Sequence, residues 1–149
     1  MFKRIMMYVM LGVFCTTMAM GDDKEMMQGD IKISPKKILL YSHDSYGLGH
    51  LRRSQTIARA LVDKNPSLSV IIVSGSPVIG SYEYPHGVDF VRIPGVTKLH
   101  NGEYSSHQLT CPIKDLLKMR SDIILQTYRS FKPHMILVDK EPLGLRGEM

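Results

Sequence analysis

Four short apolar runs punctuate this chain, and the segments between two pairs of them carry a helical period. Ile38-Leu39-Leu40 and Met135 to Val138 (MILV) are continuous runs of the kind buried on both faces of a sheet, Leu68 to Val73 (LSVIIV) is rich in β-branched residues, and Val88 to Ile93 (VDFVRI) alternates. Between the first two runs, Leu51, Ser54, Ala58, Leu61 and Val62 fall on one side of a helix, and Arg52, Arg53, Gln55, Arg59 and Lys64 mostly face elsewhere. Asn65-Pro66 stops that helix, because a residue before proline avoids the helical region. From Pro112 the positions Ile113, Leu116, Leu117, Ile123, Ile124 and Tyr128 predict a second helix, with proline near its first turn and an end before Lys132-Pro133. Ser74-Gly75-Ser76-Pro77 and Pro94-Gly95 close the second and third runs. A short helical turn is expected around Val78 to Tyr82, and residues 96–111 show no pattern that predicts an element.

Strands separated by helical segments call for parallel pairing with right-handed crossovers. The expected fold is therefore α/β: a Rossmann-like parallel sheet of about four strands with flanking helices, occupying residues 36–149. A length of 149 residues and a 44% hydrophobic share suffice for one core and leave no room for two large domains. The chain ends eleven residues after Val138, before a helix following the fourth strand could be completed. On that ground the sheet is expected to be half of a larger doubly wound unit, with apolar surface that needs a cover. The cover would be a complementary C-terminal chain, a second copy by self-association, or a membrane.

The start of the chain has a different character. Lys3 and Arg4 precede about sixteen mostly apolar residues, and Ala19-Met20-Gly21 stands before Asp22-Asp23, the layout of a secretory signal peptide. Residues 1–21 are expected to be a signal-peptide-like or membrane-anchor segment; translation starting near Met26 or Met27 is the competing account. Residues 22–35 are polar, carry Gly and Pro, and read as a linker.

Charge and cysteine content narrow the chemistry. The net charge of +5 falls to +3 (seventeen basic, fourteen acidic) when residues 1–21 are set aside, the basic residues are scattered, and Trp is absent, so no nucleic-acid partner is expected. Only Cys15 and Cys111 occur, which precludes a disulfide framework or a cysteine-based metal site. The six histidines show no close ligand spacing, and neither a metal nor a cofactor is expected.

The candidate site lies where the first strand gives way to the first helix. Gly47-Leu48-Gly49-His50 lacks the third glycine of a dinucleotide fingerprint and the Gly-Lys-Ser/Thr of a P-loop. Two accounts remain: plain turn chemistry, or a loop that lets a ligand's phosphate or sugar approach the backbone, with Gly47, Gly49, Arg52, Arg53 and His43 as binding residues. His43 and His50 follow the first strand, and Asp139 and Glu141 follow the fourth. Parallel strands place these ends on one edge, so a His–carboxylate pair can meet there and act as a general base. The alternative is a solvated charged loop around Lys140.

At these residues a resemblance becomes specific. The unit GLGHLRRSQTIARAL after a strand, the VSGSP turn, the VRIPG segment and ILVDKEPLGLRGE together resemble the N-terminal half of bacterial glycosyltransferases of the GT-B fold, related to glycosyltransferase family 28. The likeness covers roughly residues 36–149. It implies a domain that shapes the sugar-acceptor side of a cleft, with His50 as catalytic base and Asp139 orienting it. It also implies a nucleotide-sugar donor as substrate, held chiefly by a second domain. Without that domain this chain is expected to be an inactive portion of the enzyme, and a non-catalytic small-molecule or protein-binding module is the alternative. A nucleotide-sugar substrate implies a cytoplasmic or membrane-associated protein, whereas the leading segment implies export.

Overall fold

A computed structural model describes residues 36–43 and 48–149. The signal-like segment, the linker and Gly47 lie outside the described residues. The chain runs β1 (Lys37–Ser42), α1 (Gly49–Lys64), β2 (Ser69–Ser74), a 3₁₀ turn (Ile79–Ser81), β3 (Val88–Arg92), β4 (Val96–Lys98), β5 (Tyr104–Ser106), α2 (Ile113–Phe131), β6 (Met135–Val138) and a last 3₁₀ turn (Leu145–Gly147). Four strands form one parallel sheet in the order β3-β2-β1-β6, the α/β Rossmann-like arrangement.

Each main element ends where its residues dictate. Asn65 caps α1 through its N–H to the Leu61 carbonyl, and its side chain then accepts from the Ser67 N–H, turning the chain into β2. Pro112 stands at the N-cap of α2, and Lys132 leaves it in the left-handed conformation (φ 52°) just before Pro133. Between β2 and β3 there is only the 3₁₀ turn. Residues 96–111, which show no sequence pattern, hold the antiparallel pair β4–β5. Strands of three residues are too short for alternation to register.

Alternate residues of the strands feed two cores. On one face Ile38, Leu40, Val70 and Ile72 pack against Leu51, Ala58 and Val62 of α1. On the other, Leu39, Tyr41, Val73 and Ile93 pack against Ile124 of α2, with Met149 beside them. Each fully buried Leu or Ile removes enough apolar area to contribute about 1.5–3 kcal/mol. Helices thus cover both faces, which corrects the expectation of a bare sheet. Both edge strands are partly open, with Met135 exposed on β6 and Asp89 and Arg92 exposed on β3. A third cluster, Val96, Leu116 and Leu145, seats the β4–β5 hairpin and the last turn on the start of α2.

An ion pair with both side chains about 1% exposed ties these layers together. Arg120 of α2 donates from Nε and Nη2 to the Glu148 carboxylate, each at 2.6 Å, and from Nη1 to the Pro94 carbonyl. Tyr41 of β1 donates its hydroxyl to Glu148 at 2.5 Å and accepts the Leu145 N–H at 3.2 Å. Burial, then the Glu148 carboxylate, push the Tyr41 phenol well above its usual range, so it remains a donor. Gly75 makes room for the guanidinium, since a Cβ there would sit 2.8 Å from Arg120 Nη1.

Removing one member of this pair leaves a buried charge without its partner. Arg120→Met is expected to lower the unfolding free energy by about 3–5 kcal/mol, whereas Arg120→Met with Glu148→Leu loses much less. Urea unfolding of the three chains measures this, and equal losses in the single and double variants would refute it.

Candidate functional site

The strand order decides where chemistry can gather. From β1 the chain moves to β2 and β3 on one side, then returns through α2 to β6 on the other side of β1. The connections leaving β1 and β6 therefore diverge across opposite faces, the topology that in open α/β sheets places the ligand crevice at the C-terminal ends of two such neighbours. Tyr41 pairs with Val138 in register, so the loops that follow start side by side.

Into this crevice α1 carries His50 in its first turn, and β6 delivers Asp139. His50 Nδ1 lies 2.5 Å from Asp139 Oδ2, the ring 23% and the carboxylate 12% exposed. Arg53, three residues along the same helix, donates from Nη1 to the other oxygen, Oδ1, at 2.7 Å. The carboxylate is thus fixed from two sides. With Nδ1–H directed at Asp139, the lone pair of the imidazole falls on Nε2. Asp139 itself is held by its N–H to the Tyr41 carbonyl at 3.0 Å. The next residue, Lys140, has φ 71°, and the Glu141 N–H bonds back to the Asp139 carbonyl, a γ-turn of the strained kind. This sharp reversal sets the Asp139 and Glu141 side chains on one rim of the crevice.

His43, directly after β1, is 1% exposed, and its ring stands edge-on to that of His50 with centroids 5.8 Å apart. Neither ring nitrogen has a hydrogen-bond partner among the described residues. Nε2 lies 3.9 Å from Glu141 Oε1, too far for a direct hydrogen bond. Each unpartnered buried polar group costs about 1–3 kcal/mol. Burial pushes the His43 imidazole pKa down; Lys140 and His50 add to this, and the carboxylates of Glu141 and Asp139 oppose it.

The candidates read from the sequence divide accordingly. His50, Asp139, Arg53 and His43 converge. Arg52 does not join them, because its guanidinium lies 5.0 Å over the Tyr82 ring. Gly49 opens α1, and an added Cβ would meet nothing within 4 Å, so no packing contact requires glycine there. His134 accepts the Lys37 N–H at 3.0 Å and is structural. The sequence pointed to Arg53 as an anion ligand, yet Arg53 braces Asp139, and Glu141, the second carboxylate after the fourth strand, faces His43. The signal for Arg53 was its position three residues after His50, one helical turn on. Among the described residues no group of three or more His, Cys, Asp or Glu is placed to hold a metal, and no helix is long and apolar enough to cross a membrane. Comparison with protein-family models, with curated proteins and with solved structures returned no match.

The depressed His43 pKa links stability to pH. Unfolded, this histidine binds a proton near pH 6.5; folded, it resists protonation until a lower pH, so the unfolded state holds more protons in between. Stability should therefore be complete above pH 6.5 and fall as the pH drops through that value. Urea unfolding at pH 7.5, 6.5 and 5.5 should show a shallower decline for His43→Phe than for the native chain. Parallel declines would mean that His43 titrates alike in both states.

Proposed function

We propose that residues 36–149 form the acceptor-side portion of a glycosyltransferase that moves a sugar from a nucleotide-sugar donor to an acceptor hydroxyl. The observation that carries this reading is the contact between His50 and Asp139 at the crevice beside β1. Transfer of a glycosyl group to a hydroxyl requires a base that removes the hydroxyl proton as the new bond forms. His50 supplies it at Nε2, while Asp139 holds the tautomer and stabilises the imidazolium that results. Arg53 keeps Asp139 aimed at the ring and balances its charge.

The donor lies outside this arrangement. In the proposed scheme the nucleotide sugar is bound by a second domain, a complementary C-terminal chain or an associated copy, which closes over the crevice and excludes water. This chain contributes the acceptor pocket and the base. The sequence likeness to GT-B enzymes, the Rossmann-like sheet and the placement of the histidine at the start of the helix after β1 all favour this reading over a pure binding module.

Its test is sugar transfer by the enzyme assembled from this chain and its donor-binding partner, followed by nucleoside diphosphate release from a panel of nucleotide sugars. His50→Gln is expected to lower turnover about 10²–10⁴-fold with little change in folding. Asp139→Asn should lower it as well, because Nδ1–H loses its charged acceptor. Undiminished turnover in His50→Gln would remove the base from the scheme.

A further inference from the structure

His43 is the buried group that the His50–Asp139 pair leaves unused. Among the described residues its two ring nitrogens are the buried side-chain polar atoms without a hydrogen-bond partner. Its ring abuts His50, and Nε2 faces Glu141 Oε1 across 3.9 Å, beyond a direct bond but within reach of a single group that bonds to both. The donors and acceptors there define that group. A neutral imidazole offers one donor and one acceptor, and the carboxylate accepts only. A hydroxyl, which donates once and accepts as well, can take the His43 N–H and give its own proton to Glu141. An ionised phosphate oxygen accepts only, and the anion would face the Glu141 charge at close range.

We propose that His43 and Glu141 form a second hydroxyl-binding pair beside the His50 base, so that the acceptor of this site is a polyol of the sugar class held by two neighbouring hydroxyls. One hydroxyl meets His50 Nε2, and the next bridges His43 and Glu141. The proposal rests on the acceptor reading of the crevice given above and adds what selects the reacting hydroxyl: the neighbour must fit between His43 and Glu141. Burial pushes the His43 imidazole pKa down and so favours the neutral ring, which still offers the one N–H this pairing uses. Glu141 is 46% exposed at the rim, which leaves it free to adjust to a ligand.

The test uses the full chain labelled with ¹⁵N-histidine and titrated with a panel of methyl hexopyranosides, their monodeoxy derivatives and, separately, inorganic phosphate. A parent glycoside is expected to shift the imidazole ¹⁵N signals of His43 and His50 with one shared Kd. The derivative lacking the neighbouring hydroxyl should shift His50 alone and bind about 10- to 100-fold more weakly, the loss of the hydrogen bonds to His43 and Glu141. His43→Phe should bind the parent about as weakly as the native chain binds that derivative. The deoxy comparison needs only the native chain, so a His43→Phe protein that failed to fold would leave the test intact. Glycosides that move His50 and never His43 would overturn the proposal while the acceptor reading stands. Glycosides that move neither would overturn both. Phosphate moving His43 more tightly than any glycoside would replace the polyol with an anion and overturn the hydroxyl pair.

Discussion

The position of β1 between β2 and β6 is the constraint on which the rest of this structure depends. Because crossovers are right-handed, a chain that moves from β1 to β2 and β3 and then returns to β6 on the other side of β1 must send those two connections over opposite faces of the sheet. That single requirement puts α1 on one face and α2 on the other, gives each face its own core, and opens a crevice at the strand ends. His50 and Asp139 are 89 residues apart in the chain and meet because Tyr41 and Val138 are register partners. The site is a consequence of strand order before it is a consequence of any side chain.

The buried Arg120–Glu148 pair serves the same geometry from beneath. It joins α2, the turn after β3, the central strand through Tyr41 and the segment after β6. A buried ion pair gains little over apolar packing, since desolvating two charges offsets most of their attraction. Its value lies in direction. Apolar contacts among Leu39, Val73, Ile93 and Ile124 tolerate sliding, whereas a guanidinium with three hydrogen bonds permits one seat for α2 and one path for residues 139–148. That path begins at Asp139, so the pair helps set where the carboxylate of the site can stand.

Several local features of the crevice run against stability. His43 is buried without hydrogen bonds, and Lys140 sits at positive φ in a strained turn. Both flank the His50–Asp139 contact, and both concern groups that a polar ligand or a fixed carboxylate would use. By contrast, His134, His107 and Arg52, which lie away from the contact, all have ordinary partners: a backbone N–H, the Thr97 hydroxyl and the Tyr82 ring.

Local pattern determined the elements of the main sheet and its helices. The apolar runs at 38–40, 68–73, 88–93 and 135–138 became β1, β2, β3 and β6, and the stops at Asn65-Pro66 and Lys132-Pro133 hold because proline restricts its neighbour wherever it occurs. The shared edge for His50 and Asp139 also followed from the sequence, because parallel strands align their ends. Tertiary structure decided the remainder. The β4–β5 pair is too short to show a period and exists because Val96, Leu116 and Leu145 bury one another. Arg120 stands on the apolar stripe of α2, four residues from Leu116 and from Ile124, and only the fold shows that Glu148 comes back to meet it. The roles of Arg53 and Glu141, one bracing Asp139 and the other facing His43, likewise depend on two loops meeting across the sheet edge. Periodicity and proline act within a few residues and can be read in one dimension; ion pairs and short strands depend on partners brought close by folding.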